Sequence, residues 1–313
     1  MHAAIFGLIV ADLIAEPMDL RRPPAPGGLV SLNSLQLTTG GNVCNTGVAM
    51  SKLGMNVAAA GMVGDDALGK AIVERLAAEG LDTSSIFTSA KAQTSATVVA
   101  VEPGGERCFF HAPGVTELLD ADLFRKCFPM FKQCQWVQVG YFGLLPTLTP
   151  QLPEVLKELK EFSPRTKIAF DTVNPPADAE LLWPILPHVD LFAPSRTEAA
   201  ALTGQFDPAK MVAAFRRHMP RGLIAIKLDA DGCYLDDGHE VAIVPAARIT
   251  PVDTTGAGDT WFGALLVAEL QGMTLKDAGR FANRAAADCC LALGASAGVR
   301  SFEETLARME ETG

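Results

Sequence analysis

With 313 residues, 49% of them hydrophobic and 20% charged, the chain is long enough for one large domain or two ordinary ones and too apolar to be mostly disordered. Its 36 Asp and Glu outnumber 26 Lys and Arg, and the net charge of -10 sets up a field that repels phosphate backbones and anionic lipid. Nucleic acid and membrane are therefore set aside as partners, while a local site for a small anion stays open.

In chain order, the apolar start at residues 1–10 reads as a buried strand rather than a secretion signal, because no basic leader precedes it and Asp12 and Glu16 follow at once. Helical spacing is expected at 46–53 and 67–79, around a strand at 57–62. Next come a strand at 136–139, a helix at 150–162, a strand at 167–171 and a helix at 179–186. A short strand at 190–193 leads to helices at 197–202 and 208–218 and a strand at 223–228. Helices at 258–270, 275–293 and 303–309 close the pattern. Such alternation predicts an α/β fold, Rossmann-like, with a mostly parallel central sheet flanked by helices. No apolar run reaches membrane-spanning length.

Two segments break the alternation. Residues 13–37 carry Pro17, Pro23, Pro24, Pro26 and the pair Gly27-Gly28. Residues 94–111 hold two β-rich runs around Pro103-Gly104-Gly105, a hairpin signal. Both are expected to form a small β lid on one domain spanning 1–313. The seven cysteines have no metal spacing and read as reduced, buried thiols of a cytoplasmic protein.

The most informative stretch is Asp253-Thr254-Thr255-Gly256-Ala257-Gly258-Asp259-Thr260-Trp261-Phe262-Gly263. Glycines let successive N–H groups face one concavity, and the helix that follows adds partial positive charge, so Gly256, Ala257 and Gly258 are expected to form an anion hole. Asp259 at its mouth has two readings. It is either an N-cap or a base that takes the proton of a hydroxyl attacking a phosphoryl group. No Gly-Lys-Ser/Thr follows, so this is not the usual phosphate loop. Earlier, Gly40-Gly41-Asn42-Val43-Cys44-Asn45-Thr46-Gly47 is either a capped tight turn or a close approach of backbone to a polar ligand, with Asn45 offering donor and acceptor.

Together, Gly40 to Asn45, Gly61-Met62-Val63-Gly64-Asp65-Asp66-Ala67-Leu68-Gly69 and the Asp253 to Gly263 motif resemble, in order, the signatures of the ribokinase-like (PfkB) family of carbohydrate kinases. The resemblance implies ATP-dependent phosphorylation of a sugar hydroxyl with Mg2+, Asp259 being the base and Gly256, Ala257 and Gly258 the anion hole. It implies Asp12, Gly41 and Asn45 at the sugar, joined by Arg107 from the lid hairpin. A solvated surface charge is the other reading of Arg107. On the nucleotide side it implies Lys227, Asp229 and Gly232 of the Lys227-Leu228-Asp229-Ala230-Asp231-Gly232 run, together with Gly258, and Asn283 near the adenine. Glu198 matches the family's Mg2+-organising acid, while Ser195 stands where the family has Asn. For the K+ that many members bind, the matching positions are Asp253, Thr255, Cys289, Ala292, Gly294 and Gly298. Homodimerisation through the lid is likewise implied.

Ribokinases carry a substrate-binding Glu on the strand that here reads Trp136-Val137-Gln138-Val139-Gly140-Tyr141-Phe142, and no carboxylate occurs there. Gly140 is the approximate match, and Tyr141 or Phe142 would line the pocket instead. The expectation is a sugar kinase without a named sugar. Its alternatives are a nucleoside kinase of the same family and a non-catalytic sugar- or nucleotide-binding protein on this fold.

Overall fold

The computed structural model describes residues 1–173 and 179–310. Its strands in chain order are β1 (Ala3–Gly7), β2 (Val10–Glu16), β3 (Ser34–Gly40), β4 (Val57–Gly64), β5 (Asp82–Ser89), β6 (Ala96–Val101) and β7 (Arg107–Ala112). The second half adds β8 (Trp136–Phe142), β9 (Lys167–Thr172), β10 (Leu191–Phe192), β11 (Leu223–Lys227), β12 (Cys233–Asp236) and β13 (Val241–Val244). Nine strands form one sheet in the order β13-β12-β11-β10-β9-β8-β1-β4-β5. Every pair from β11 to β5 is parallel, and β12 and β13 extend the edge antiparallel.

Helices cover both faces, as runs of apolar residues in the central strands require. On one face lie α1 (Asn42–Lys52) and α2 (Ala67–Ala78). The other face holds α3 (Ala121–Lys126), α4 (Phe128–Phe131), α5 (Leu152–Phe162), α6 (Arg196–Thr203) and α7 (Pro208–Arg216). The chain then returns to the first face with α8 (Ala257–Leu270), α9 (Leu275–Cys289) and α10 (Phe302–Glu310). Helix α8 is apolar all round, which fits its burial between α1, α9 and the sheet. Fully buried rings such as Phe6, Phe124, Phe170 and Phe262 fill the two cores, each stabilising by about 1.5–3 kcal/mol.

The second sheet has the order β3-β2-β6-β7 and contains both segments that interrupt the alternation. It begins at Val10, earlier than expected, because the apolar start is two strands rather than one. Gly7 sits at φ 148, and the Asn42 side chain takes the Leu8 N–H at 2.8 Å and donates to the Phe6 carbonyl at 3.0 Å. That bridge ends β1 and sends the chain into the small sheet. Leu35, Phe109 and Phe110 lie 55–65% exposed on this sheet.

Other expectations shift for local reasons. Residues 179–186 give only the 3-10 turns Ala179–Leu181 and Leu186–His188, since Pro184 and Pro187 break a helix. Helix α9 stops at Cys289, short of the expected 293. Strands β5, β12 and β13 and helices α3 and α4 come in addition to the expected elements. Among the described residues, no helix is long and apolar enough to cross a membrane.

Candidate active site

Loops at the carboxyl ends of the parallel strands converge on Asp259, where ligand sites of such sheets are expected. Gly41 precedes α1 with φ 85, and a Cβ there would stand 2.3 Å from the Leu8 carbonyl oxygen, so only glycine fits the turn. The turn starts α1 so that Asn45 and Thr46 face α8. Asn45 Nδ2 donates to Asp259 Oδ2 at 2.9 Å, across 214 residues of sequence. Thr46 Oγ1 donates more weakly to Oδ1, at 3.4 Å. On the small sheet, Asp12 presents its carboxylate over Gly40, where a Cβ would lie 2.2 Å from Asp12 Oδ2. Burial pushes the Asp12 carboxyl up to about 6, with the Thr97 hydroxyl opposing the rise.

Asp259 is not an N-cap. Gly256 holds the cap position of α8 in a left-handed conformation with no side-chain cap, and Asp259 is the third helical residue. Its carboxylate turns away from its own backbone towards Asn45, Thr46 and Tyr141, whose hydroxyl donates to Oδ1 at 2.7 Å. Burial raises the Asp259 pKa, against the hydrogen bonds of Tyr141 and Asn45 and the charge of Lys227. Burial and the adjacent Asp259 hold the Tyr141 phenol well above its usual value, so it stays a donor. The anion hole differs from expectation at Ala257, whose N–H donates to the Thr254 carbonyl at 3.2 Å. Gly258 and Asp259 present the amides left without a partner among the described residues.

Lys227 approaches Gly258 closely, its Nζ lying 3.8 Å from where a Cβ would stand. It pairs with buried Asp171 at 3.0 Å. Burial lowers the Lys227 pKa, but Asp171, Glu198 and Asp259 outweigh it and raise the value. Burial pushes Asp171 up to about 7, eased by Lys227 and worsened by Glu198 and Asp259. Ser195 and Glu198 form a capping box at the start of α6, so their first task is structural. Both Glu198 hydrogen bonds, from Thr172 Oγ1 and Ser195 N–H, fall on Oε2. The oxygens left over are Glu198 Oε1 and Asp171 Oδ2, on two carboxylates that both act electrostatically on Lys227. That donor set fits Mg2+, which takes one or two carboxylates and completes its shell with water and phosphate oxygens.

Two expected nucleotide positions have structural tasks in the fold. Asn283 donates its amide to the Val244 and Pro245 carbonyls at 3.1 and 3.0 Å and accepts from Trp261 Nε1 at 2.8 Å. It is spent inside the core and fixes the segment after β13 instead of facing a base. Gly232 is buried with φ 104, and a Cβ there would meet the Val244 carbonyl oxygen at 2.0 Å, so it serves the β11–β12 connection. Asp229, by contrast, is exposed at φ 55 on the mouth side of β11.

Arg107 is half-buried and is committed to an acid of the α8 motif instead of standing free in solvent. Its two terminal nitrogens grip Asp253 Oδ1 and Oδ2 at 2.9 Å each, and Nη1 also reaches Thr255 Oγ1. Asp253 further accepts the N–H groups of Thr255 at 3.0 Å and Gly294 at 2.8 Å. Burial would raise its pKa, but Arg107 and these amides hold it well below the usual carboxylate range. Of the expected K+ positions, Asp253 has each carboxylate oxygen already accepting two donors. The Cys289 thiol points at the Thr255 and Ala295 carbonyls, 3.7 and 3.3 Å away. Gly298 brings no side-chain oxygen, and Gly294 contributes its N–H inward. Ala292 stands in the same loop, its N–H 3.4 Å from the Cys289 carbonyl.

Thr46 and Asp171 join the site without having been singled out, and Tyr141, expected with Phe142 only as a pocket-lining alternative, binds Asp259 directly. The signal for Tyr141 was its place on the strand where a carboxylate was expected. The signature residue Asp66 is structural, since it caps α2 and accepts the Thr94 N–H at 2.7 Å.

The pfkB family carbohydrate kinase profile matches residues 2–301. A ribokinase of Haemophilus influenzae is 28% identical over 291 residues, covering 91% of this chain and 92% of that protein. Arabidopsis thaliana ribokinase, solved with ribose and ATP, superposes with a TM-score of 0.82 at 23% identity over 99% of this chain and 98% of its own. An Escherichia coli chain described as a ribokinase II, solved with ATP and Mg2+, gives 0.81 at 20% identity over 100% and 99%. Fold and sequence thus agree from end to end, and the chain belongs to the pfkB family of carbohydrate kinases, phosphotransferases that act on an alcohol group.

Proposed function

We propose that the chain transfers the γ-phosphoryl group of ATP to a hydroxyl of a sugar or sugar-like polyol, with Asp259 as general base. The Asp259 cluster carries this reading, because it joins the two motifs at one buried carboxylate. Asp12 and Asn45 orient the polyol, the carboxylate accepting hydroxyl protons and the amide both giving and accepting. The attacking hydroxyl gives its proton to Asp259 as its oxygen bonds to the γ-phosphorus. The bond from that phosphorus to the bridging oxygen breaks, ADP leaves, and Asp259 returns the proton to solvent. Charge on the transferring oxygens is met by the Gly258 and Asp259 amides, the start of α8 and Lys227. Mg2+, held by Glu198 and Asp171 through oxygen or water, would neutralise the phosphate oxygens. The lack of a carboxylate on β8, where Gly140 is the approximate match and Tyr141 follows it, favours a substrate other than ribose.

The small sheet serves as the lid of a single 1–313 domain, and its apolar outer residues as the face of a homodimer. Cytoplasmic residence suits the seven free cysteines, of which Cys44, Cys127 and Cys233 are pushed by burial up to about 12 and are inert as nucleophiles.

A coupled ADP-release assay over pentoses, hexoses, sugar acids and nucleosides tests the proposal. Asp259→Asn should lower kcat on the best substrate by about 10²–10⁴-fold. Full turnover by that variant would remove Asp259 as the base. A nucleoside as best substrate would make this a nucleoside kinase. Thermal stabilisation by a sugar with no turnover on any compound would favour a binding protein.

A further inference from the structure

We infer that His111, at the edge of the small sheet, is a positioning residue for the substrate: its ring Nδ1 donates to the Thr97 hydroxyl and so turns that hydroxyl's only proton onto Asp12. The inference rests on the reading of Asp12 as a sugar-binding carboxylate. Strand register puts the three side chains in one row. Asp12 of β2 lies opposite Thr97 of β6, and Thr97 lies opposite His111 of β7, the outer strand. Residues directly opposite each other on neighbouring strands point to the same face of a sheet. Thr97 Oγ1 and His111 Nδ1 are 3.0 Å apart, and the Thr97 hydroxyl bonds the Asp12 carboxylate. Proton counting then fixes the direction. A hydroxyl has one proton to give, and an ionised carboxylate only accepts. With the Thr97 proton on Asp12, the contact with His111 must run from Nδ1–H to Thr97 Oγ1.

The row gives Asp12 support that its site otherwise lacks. Burial works against the charge of this carboxylate, and Thr97 is the group that opposes burial. A hydroxyl free to rotate turns a lone pair towards the carboxylate as readily as its proton. His111 removes that freedom by occupying the lone-pair side. The titratable neighbour on α1 is the Cys44 thiol, which burial above all, then Asp12 and Asp259, keep protonated. Burial alone lowers the His111 pKa, so no nearby charge sets its ring. As imidazolium or as the neutral Nδ1–H tautomer, His111 is a donor at Nδ1. It therefore acts on the sugar through Asp12 and takes no part in the transfer at Asp259.

His111→Phe keeps a ring and removes the donor. On the best sugar its kcat/KM near pH 6 should fall roughly three- to ten-fold, the acid limb moving to higher pH because the ionised form of Asp12 has lost support. At alkaline pH, where Asp12 is ionised in both proteins, kcat/KM should approach the wild type. At saturating sugar kcat should stay within about two-fold at every pH. The amide nitrogen of an asparagine stands close to the place of Nδ1, so His111→Asn should restore the wild-type limb. Thr97→Val should move the limb at least as far as His111→Phe, and adding His111→Phe to it should move it no further. A limb that stays in place, an equal fall at every pH, or additive losses in the double variant would overturn the inference. The 15N spectrum of the ring nitrogens needs no substrate. At pH 8 the His111 signal, identified among the five histidines as the one missing from the His111 variants, should show Nδ1 protonated, and Thr97→Val should release it to the Nε2–H form. An Nε2–H ring in the wild type would overturn the inference even with a sugar turned over. If no compound is phosphorylated, the kinase reading fails while the spectrum still decides the row.

Discussion

Replacing Tyr141 by Phe removes one oxygen and leaves the ring, so it isolates a single hydrogen bond. That bond, at 2.7 Å to Asp259 Oδ1, is the shorter of the two donations to that oxygen, Thr46 being at 3.4 Å. A hydrogen bond to a charged group contributes about 1.5–3 kcal/mol. Tyr141 bonds the ionised form of Asp259, so the bond works against the burial that raises its pKa. Without it the carboxylate holds its proton more tightly, and the base form is lost at a higher pH than in the wild type. At roughly 1.4 kcal/mol per decade, kcat on the acid side should drop about 10- to 100-fold. On the alkaline plateau, where Asp259 is fully ionised in both proteins, kcat should stay within a few-fold. The assay is the pH profile of kcat at saturating sugar, which reports groups in the loaded enzyme and keeps Asp12 occupied. A profile that superimposes on the wild type would refute the reasoning. So would a uniform fall at every pH, because that would place Tyr141 on the substrate and not on the base.

Asp12 gives a separate dependence, on kcat/KM. Its carboxyl is pushed up to about 6, and only the ionised form accepts two hydroxyl protons, so kcat/KM should fall about ten-fold per pH unit below that value. Asp12→Asn should raise KM and abolish that limb, while a flat wild-type kcat/KM between pH 5 and 7 would remove Asp12 from the sugar. The exposed Leu35, Phe109 and Phe110 predict a dimer by light scattering that Phe109→Ser/Phe110→Ser converts to monomer, whereas a monomeric wild type would assign the face to something else.

Local signals were legible in the sequence and distant pairings were not. The glycine turns at Gly41 and Gly256, the apolar helix α8 and the parallel strands each announce themselves within a few residues. Strand β5 is half-buried at a sheet edge, so its residues Asp82 to Ser89 show neither alternation nor a continuous apolar run. The β12–β13 hairpin did carry a signal, Asp237-Gly238 between two short runs, but each strand has only 4 residues. Arg107 on Asp253 and Lys227 on Asp171 are different, because each partner lies on another strand or loop whose position only the sheet order fixes. A charge in a hairpin has no local mark that tells a solvated arginine from one gripping a carboxylate 146 residues away.

Asp259 shows why the decisive information is long-range. As an acid in the first turn of a helix it is favourable wherever the helix lies, and capping and catalysis predict the same residue type. The two readings separate only in the direction of the side chain. A cap must sit before the first helical residue and fold back on its own N–H groups, whereas Asp259 is the third residue and reaches across to α1 and β8. Turning outward forfeits the local hydrogen bonds and buries a carboxylate, which raises its pKa. Three donors from two other elements partly offset that cost and fix the direction of the group, while burial holds it less acidic than a surface aspartate. A capping residue has no need of either property, and a base that must accept a proton near neutral pH needs both.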